Sequence, residues 1–189
     1  MPDWDQRYQT AEHAGDACEV LLRYQHLLPS EGKSLDLASG LGANALLLAK
    51  RGLESHAWDS SAVALQKLQQ FASQQALSVQ TLQRDVEAQP PEVQSFDVIV
   101  VSHFLHRPSF PQLLDALKPG GLLYYQTFIA DKPDGIGPSN PAFVLQPNEL
   151  LRHASSLGVL AYHEEGQVGD TTQGFRHQAM LVAHKVAKS

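Results

Sequence analysis

Residues Leu35 to Ala49 read LDLASGLGANALLLA. An apolar run of strand character passes through a turn of small residues straight into an apolar run with helical spacing. Strand, glycine turn and helix in that order form the opening unit of a parallel α/β sheet, and the turn lies at the mouth of the sheet, where ligands bind. Gly40 and Gly42 carry no Cβ, so a ligand can touch the backbone there. The helix behind them offers free N–H groups and the positive end of its dipole to an anionic group.

The same alternation continues along the chain. Strands are expected at 34–38, 54–58, 77–82, 96–102 and 122–128, and helices at 19–28, 44–51, 61–75, 111–117 and 148–157. Ser60 or Ser61 is placed to cap the third helix and Asn148 the last. FDVIVVS, residues 96–102, is almost wholly apolar and β-branched, the pattern of a strand covered on both faces. KPGG, from Lys118, reads as a turn, and residues 129–147 as a long Gly/Pro-rich loop that could serve as a lid. The last two strands, 159–164 and 179–185, are joined by a span too short for a crossover helix, so they are expected to pair as an antiparallel hairpin. The whole implies one α/β domain over 1–189, a doubly wound sheet with helices on both faces, preceded by an N-terminal flap and helix at 1–30.

Charge and cysteine content narrow the partners. With 14 basic and 20 acidic residues the net charge is −6, which argues against long nucleic acid as a partner. The single cysteine, Cys18, makes an intrachain disulfide impossible and a Cys-based zinc site unattractive; no metal dependence is indicated. No apolar run approaches the ~20 residues of a membrane span, and the start lacks the order of a signal peptide. A cytoplasmic protein, monomeric or homodimeric, is expected.

The turn GLGANA also satisfies the dinucleotide pattern G-x-G-x-x-A, which leaves a nicotinamide-dependent oxidoreductase open. Three carboxylates separate the readings. Asp36 stands four residues before Gly40, where it repels a pyrophosphate but suits an ammonium group. Asp59 ends the second strand and is placed to accept from ribose hydroxyls, a feature that by itself fits either cofactor. Asp85 follows the third strand and is placed to accept from an adenine amino group. Ammonium, ribose and adenine are the parts of S-adenosylmethionine.

LDLASGLGAN, AWDSS, RDVE, FDVIVVSHFLHR and LKPGGLLYYQTF resemble, in order, the five motifs of class I S-adenosylmethionine-dependent methyltransferases. WDQRY, HFLHRPSF and GIGPSNPAFVLQPNELL are similar to the small bacterial, tellurite-resistance-type members, whose acceptors are small molecules such as thiols and metalloid oxyanions. The resemblance implies a Rossmann-like seven-stranded sheet of order 3-2-1-4-5-7-6 with an antiparallel last strand. It also implies cofactor contacts from Tyr8, Asp36, Ala38, Gly40, Gly42, Asn44, Asp59, Ser60, Asp85, Val86 and Ser102. Ala38 stands where the family commonly has glycine, and is tolerable there if its φ is negative.

Trp4, Arg7 and Tyr8 precede the fold, either as a partly ordered tail with an aromatic pinned to the surface or as a flap that excludes water and offers an aromatic face to the sulfonium. His103, His106 and Arg107 lie past the fourth strand, where the family's transferred methyl points. They are the candidates for acceptor contact, a histidine as general base and Arg107 as an anion clamp. No carboxylate–histidine pair stands out by spacing, which leans toward a soft acceptor. The position that reads Asp/Asn-Pro-Pro-aromatic in base-amine methyltransferases reads SHFL here. A non-catalytic module that binds the cofactor without turnover is the remaining alternative.

Overall fold

The computed structural model describes residues 4–187. Its elements, in chain order, are α1 (Trp4–Tyr8), α2 (Glu19–Tyr24), β1 (Lys33–Leu37), α3 (Ala43–Lys50), β2 (Glu54–Asp59), α4 (Ala62–Gln74), β3 (Val79–Gln83), β4 (Phe96–Ser102), α5 (Phe110–Ala116), β5 (Leu117–Phe128), α6 (Glu149–His153), β6 (Gly158–Glu164) and β7 (Gln178–His184). The strands form one seven-stranded sheet of order β3-β2-β1-β4-β5-β7-β6. β1 to β5 pair in parallel. β7 is antiparallel to both β5 and β6, so the terminal hairpin forms as the short connection requires.

Alternation along β4 explains why its sequence is apolar at nearly every position. Ile99 and Val101 face a core shared with Phe110 and Leu113 of α5 and Leu150 of α6. Val98 and Val100 face the opposite core, with Val20 and Leu21 of α2 and Leu48 of α3. Tyr124 and Tyr125 of β5 divide between the same two faces. On the outer half of the sheet α3 and α4 pack together through Ala45, Leu46, Leu65 and Leu68 against Ala57 of β2. Ser61 caps α4, accepting from the Ala64 N–H at 3.1 Å.

The structure departs from the sequence expectations at three elements. KPGG is not a turn ahead of the fifth strand but a bulge inside it. Leu117 pairs with Phe96, the register then jumps, and Leu122 pairs with Val98. Gly121 is confined there, since a Cβ would lie 2.9 Å from the Lys118 carbonyl oxygen and 3.2 Å from those of Phe96 and Asp97. The helix expected at 148–157 is shorter, and Asn148 does not cap it. Asn148 takes a left-handed conformation (φ 56°) with no side-chain cap bond, while the Glu149 carboxylate accepts from the Gln146 N–H at 2.7 Å. The helix expected at 19–28 ends at Tyr24 and continues as a 3-10 turn, Gln25–Leu27.

Candidate active site

The parallel strands end at one edge of the sheet, and the chain runs out of β1, β2, β3 and β4 into the loops that carry the sequence-predicted residues. Between β1 and α3 the backbone is left-handed at Ala38 (φ 56°), Gly40 (φ 52°) and Gly42 (φ 76°). The φ of Ala38 is therefore positive, against the condition under which alanine is well tolerated. A non-glycine residue there carries about 1–2 kcal/mol of strain. The two glycines do different work. A Cβ on Gly42 would run into the Leu68 side chain of α4, so its bareness serves helix packing. A Cβ on Gly40 would lie 2.8 Å from the Tyr8 hydroxyl oxygen, so its bareness serves close approach from the crevice side.

Asp36 lies fully buried beneath this loop. Its Oδ1 accepts from Asn44 Nδ2 at 3.1 Å and its Oδ2 from the Ala45 N–H at 3.1 Å. The carboxylate thus satisfies a free donor in the first turn of α3 from outside the helix. Asn44 Nδ2 also donates to Ser102 Oγ at 3.0 Å, and its Oδ1 accepts from the Cys18 N–H at 2.9 Å. One amide ties β1, β4 and the start of α2 together. Burial raises the Asp36 pKa to about 7, against the opposing pull of the bonds from Asn44 and Ala45; the charge on Asp59 adds to the rise.

Asp59, at the end of β2, joins two loops. Its Oδ2 accepts from the Gly40 N–H at 2.7 Å and its Oδ1 from the Ser61 N–H at 2.8 Å. Each oxygen keeps a lone pair for a further donor. Ser60 beside it is exposed, and its carbonyl accepts from Gln83 Nε2. Asp85 is also exposed and closes its own turn, Oδ1 accepting from the N–H groups of Glu87 and Ala88 at 3.0 and 3.3 Å. Val86 is buried in the core below.

The N-terminal segment lies against these loops. Asp5 Oδ1 accepts from Ser61 Oγ at 2.5 Å, pinning α1 to the start of α4, and Lys67 Nζ donates to the Ala11 carbonyl at 2.7 Å. Trp4 stacks on Tyr8, and Arg7 lies over the Trp4 ring. Burial pushes the Tyr8 phenol up, and the Asp59 charge adds to it. An open hollow of about 460 Å³ is bounded by residues 10–15 and Leu41 beside the glycine loop.

Past β4, His103 adopts φ 56°. Its Nε2 meets Gln178 Oε1 at 3.2 Å, and its ring centroid lies 5.3 Å from that of Phe128. Desolvation lowers its pKa and Arg7 adds to the fall, while the Gln178 bond opposes them; the net shift is downward, so the ring is neutral at pH 7. His106 is drawn away, with Nδ1 2.5 Å from Ser109 Oγ and Nε2 3.7 Å from Glu87 Oε2. Arg107 is committed. Its Nε and Nη2 meet the two Glu149 oxygens at 2.6 and 3.0 Å, and Nη1 and Nη2 donate to the carbonyls of Ala142 and Val144. The structure therefore brings Asp36, Asn44 and Ser102 into one hydrogen-bonded group and Tyr8, Gly40 and Asp59 into a second, sets His103 apart from both, and turns His106 and Arg107 to the loops on either side.

Sequence reasoning missed Ser39, Gln126 and Gln178. Ser39 Oγ is buried without a hydrogen-bond partner. A polar atom in that state on a glycine loop is suited to a ligand's donor or acceptor. Serine in a turn and glutamine in an apolar strand carry no sequence signal that separates such a role from an ordinary one.

A sheet of this order, opened by a glycine loop with an acid at the end of each of its first two strands, is the architecture of class I methyltransferases, which draw the methyl group from S-adenosylmethionine. The donor set fits that cofactor: two carboxylates near a cationic ligand, a bare backbone at Gly40 and an unpaired Ser39 hydroxyl. Residues 35–121 match the family model described as a methyltransferase domain, and the fold is the one found in S-adenosylmethionine-dependent methyltransferases. The structure is similar to TehB from Haemophilus influenzae, with a TM-score of 0.70 at 22% identity, over 88% of this chain and 61% of that one. The chain thus spans less than two thirds of the TehB chain. It is also similar to an S-adenosylmethionine-dependent methyltransferase from Methanosarcina mazei (TM-score 0.69, 16% identity, 92% of this chain and 100% of that one). A third similar structure is the [4+2]-cyclase SpnF (TM-score 0.68, 17% identity, 89% of this chain and 80% of that one). At these identities the likeness is one of fold. No curated protein sequence matches the chain.

Proposed function

We propose that the chain methylates a small-molecule acceptor, and that the cofactor is held by Tyr8, Asp36, Ala38, Gly40, Gly42, Asn44, Asp59, Ser60, Asp85, Val86 and Ser102. When bound, S-adenosylmethionine supplies an already activated methyl group, so the protein's task is alignment and exclusion of water. In this reading Asp59 takes the ribose hydroxyls with its free lone pairs, and Asp85 takes the adenine amino group with its second oxygen. Asp36 is covered, so it acts through Asn44 and through its charge rather than by contact. Ala38, Gly40 and Gly42 set the backbone path of the loop.

The observation that carries the small-acceptor reading is the position of α1. Tyr8 lies over Gly40, and Arg7 is near enough to His103 to shift its titration. In this reading α1 covers the glycine-loop end of the crevice, an arrangement that suits a small acceptor. His103 is the group facing the acceptor. Arg107, with most of its donors taken by Glu149 and two carbonyls, serves as the anchor of the 129–147 loop rather than as an anion clamp, and His106 braces the start of α5. Among the described residues no helix is long and apolar enough to cross a membrane.

The test is a methyl-transfer assay with labelled cofactor across small thiols, amines, selenite and tellurite, with DNA, RNA and protein as controls and Asp59→Ala as the inactive reference. Turnover confined to the small molecules supports the reading, and turnover on a polymer alone overturns it. Cofactor binding without turnover on any acceptor favours the non-catalytic alternative.

A further inference from the structure

Four residues from four elements form a chain of hydrogen bonds that ends on His103. The Val20 N–H, at the start of α2, donates to Gln126 Oε1 at 2.8 Å. A backbone amide can only donate, so the Gln126 oxygen must face it, and its NH₂ group must point the other way. That NH₂ donates to Gln178 Oε1 at 2.8 Å, which fixes the second amide by the same logic. Gln178 Oε1 is also the partner of His103 Nε2, at 3.2 Å. An amide oxygen cannot donate, so Nε2 carries the proton and Nδ1 keeps the lone pair. Among the described residues Nδ1 has no hydrogen-bond partner.

The anchor is rigid. Val20 is buried outright, and Gln126 is 4% exposed on β5. The His103 backbone is held as well, its N–H donating to the Gln126 carbonyl at 2.9 Å while φ stands at 56°. Strained backbone of this kind persists only where the surroundings over-determine it, and it clusters at functional sites. Gln126 thus fixes His103 twice, by its main chain directly and by its side chain through Gln178.

We propose that Gln178, oriented by Gln126, is a positioning residue that locks His103 as the Nε2–H tautomer, so that Nδ1 receives the proton of a protic methyl acceptor: a thiol, alcohol or amine rather than a metalloid oxyanion. This rests on the small-molecule reading above and narrows its acceptor class. The acceptor X–H bond breaks, its proton goes to Nδ1, and its electron pair stays on X. X bonds the methyl carbon as the carbon–sulfur pair departs with sulfur, leaving S-adenosylhomocysteine. The imidazolium then returns its proton to water. Among the described residues, the groups recorded against the ring are Gln178 from β7, Phe128 from β5 and, through its charge, Arg7 from α1. No carboxylate is among them, so the ring stays a neutral base.

The test begins with the wild-type protein and needs no turnover. Long-range ¹H–¹⁵N correlation of the histidine rings at pH 8, with His103→Gln to assign the signal, is expected to show protonated Nε2 and bare Nδ1 at His103. Gln178→Glu places a carboxylate beside the ring and is expected to raise the His103 titration by about one unit, moving the acid limb of kcat upward while KM for the cofactor holds. Protonated Nδ1 in the wild type, or a titration untouched in Gln178→Glu, overturns the tautomer lock whatever the enzyme methylates. Turnover of tellurite or selenite with none of thiol, alcohol or amine overturns the acceptor class. An absence of turnover on every small acceptor would count against the proposed function instead, because the ring measurement is made without it.

Discussion

Arg107 and Glu149 are 42 positions apart and meet side by side, Nε to Oε1 at 2.6 Å and Nη2 to Oε2 at 3.0 Å. The guanidinium leaves the loop after β4, the carboxylate opens α6, and the chain between them spans α5, β5 and the long loop. Two carbonyls of that loop, Ala142 and Val144, each take a further guanidinium donor. One side chain therefore ties 142–149 to the edge of the sheet. The Glu149 side chain is 9% exposed and that of Arg107 35%. Removal of the guanidinium leaves a largely buried carboxylate with only the Gln146 N–H and His153 beside it, so Arg107→Ala is expected to lower unfolding free energy by about 2 kcal/mol. Urea denaturation is the measure, and limited proteolysis should show faster cleavage within 129–147.

The same pair sets an acid limit. Burial alone would raise the Glu149 carboxyl, but the Arg107 guanidinium, the Gln146 N–H and His153 together hold it at about 2, against an ordinary 4.5. A carboxylate with a depressed folded pKa binds fewer protons than the unfolded chain, so its contribution is complete above the unfolded value and disappears as pH falls through the folded one. The stability gap between wild type and Glu149→Gln should be constant from pH 7 to about 5 and close between about 4.5 and 2. A gap of unchanged size at pH 2.5 would mean that the charge is not what matters.

Ala38 tests the left-handed turn. Glycine at φ 56° has no Cβ penalty, though it adds backbone entropy to the unfolded chain. The strain relieved, about 1–2 kcal/mol, exceeds the entropy lost, about 0.5–1 kcal/mol, so Ala38→Gly should raise stability by roughly half a kilocalorie per mole or more. Ala38→Val should lower it by at least about 2 kcal/mol, since β-branching makes the left-handed region still less accessible. Thermal unfolding of both variants against wild type gives the sign directly.

How much of this was legible beforehand follows from which forces act locally. The strand at 96–102, its two covered faces and the sheet order follow from runs of apolar residues and from the motifs that resemble the methyltransferase family. The φ of Ala38 did not, because alanine gives no sign of a positive φ. Arg107 reads as an anion clamp because its partner is separated by a helix, a strand and a loop, and nothing in the spacing of the two residues pairs them. Asn148 read as a helix cap by residue type, but the neighbouring carboxylate already takes the N–H of Gln146. Charges and amides whose partners are distant in sequence are where residue type alone misleads.

Asp36 makes the fold and the cofactor sensitive to pH near neutrality. Burial raises its carboxyl to about 7 from an ordinary 3.8. The folded chain then holds a proton that the unfolded chain has lost, so stability should fall as pH rises from about 4 to 7 and level off above. The full shift corresponds to at most about 4 kcal/mol. A cation bound nearby favours the carboxylate, so S-adenosylmethionine should bind more tightly at pH 8 than at pH 6, releasing a fraction of a proton at the lower pH. Calorimetric titration in buffers of different ionisation enthalpy measures that release. Asp36→Asn should abolish both the release and the slope of stability with pH.

The flap over Gly40 is expected to govern how long the cofactor stays. Tyr8 lies against Gly40 on the crevice side, and Asp5 pins its helix to Ser61 and thereby to the same loop that Asp59 organises. Opening α1 breaks those contacts but leaves the glycine loop intact, because the Gly40–Asp59 and Asn44–Asp36 bonds lie beneath it. Tyr8→Ala and Asp5→Ala should therefore speed cofactor dissociation by about tenfold, a loss of about 1.4 kcal/mol, while association changes little, since most effects of such contacts appear in the off-rate. Stopped-flow displacement of S-adenosylhomocysteine separates the two rates. A Tyr8→Ala protein whose off-rate matches wild type would show that α1 rests on the crevice without closing it.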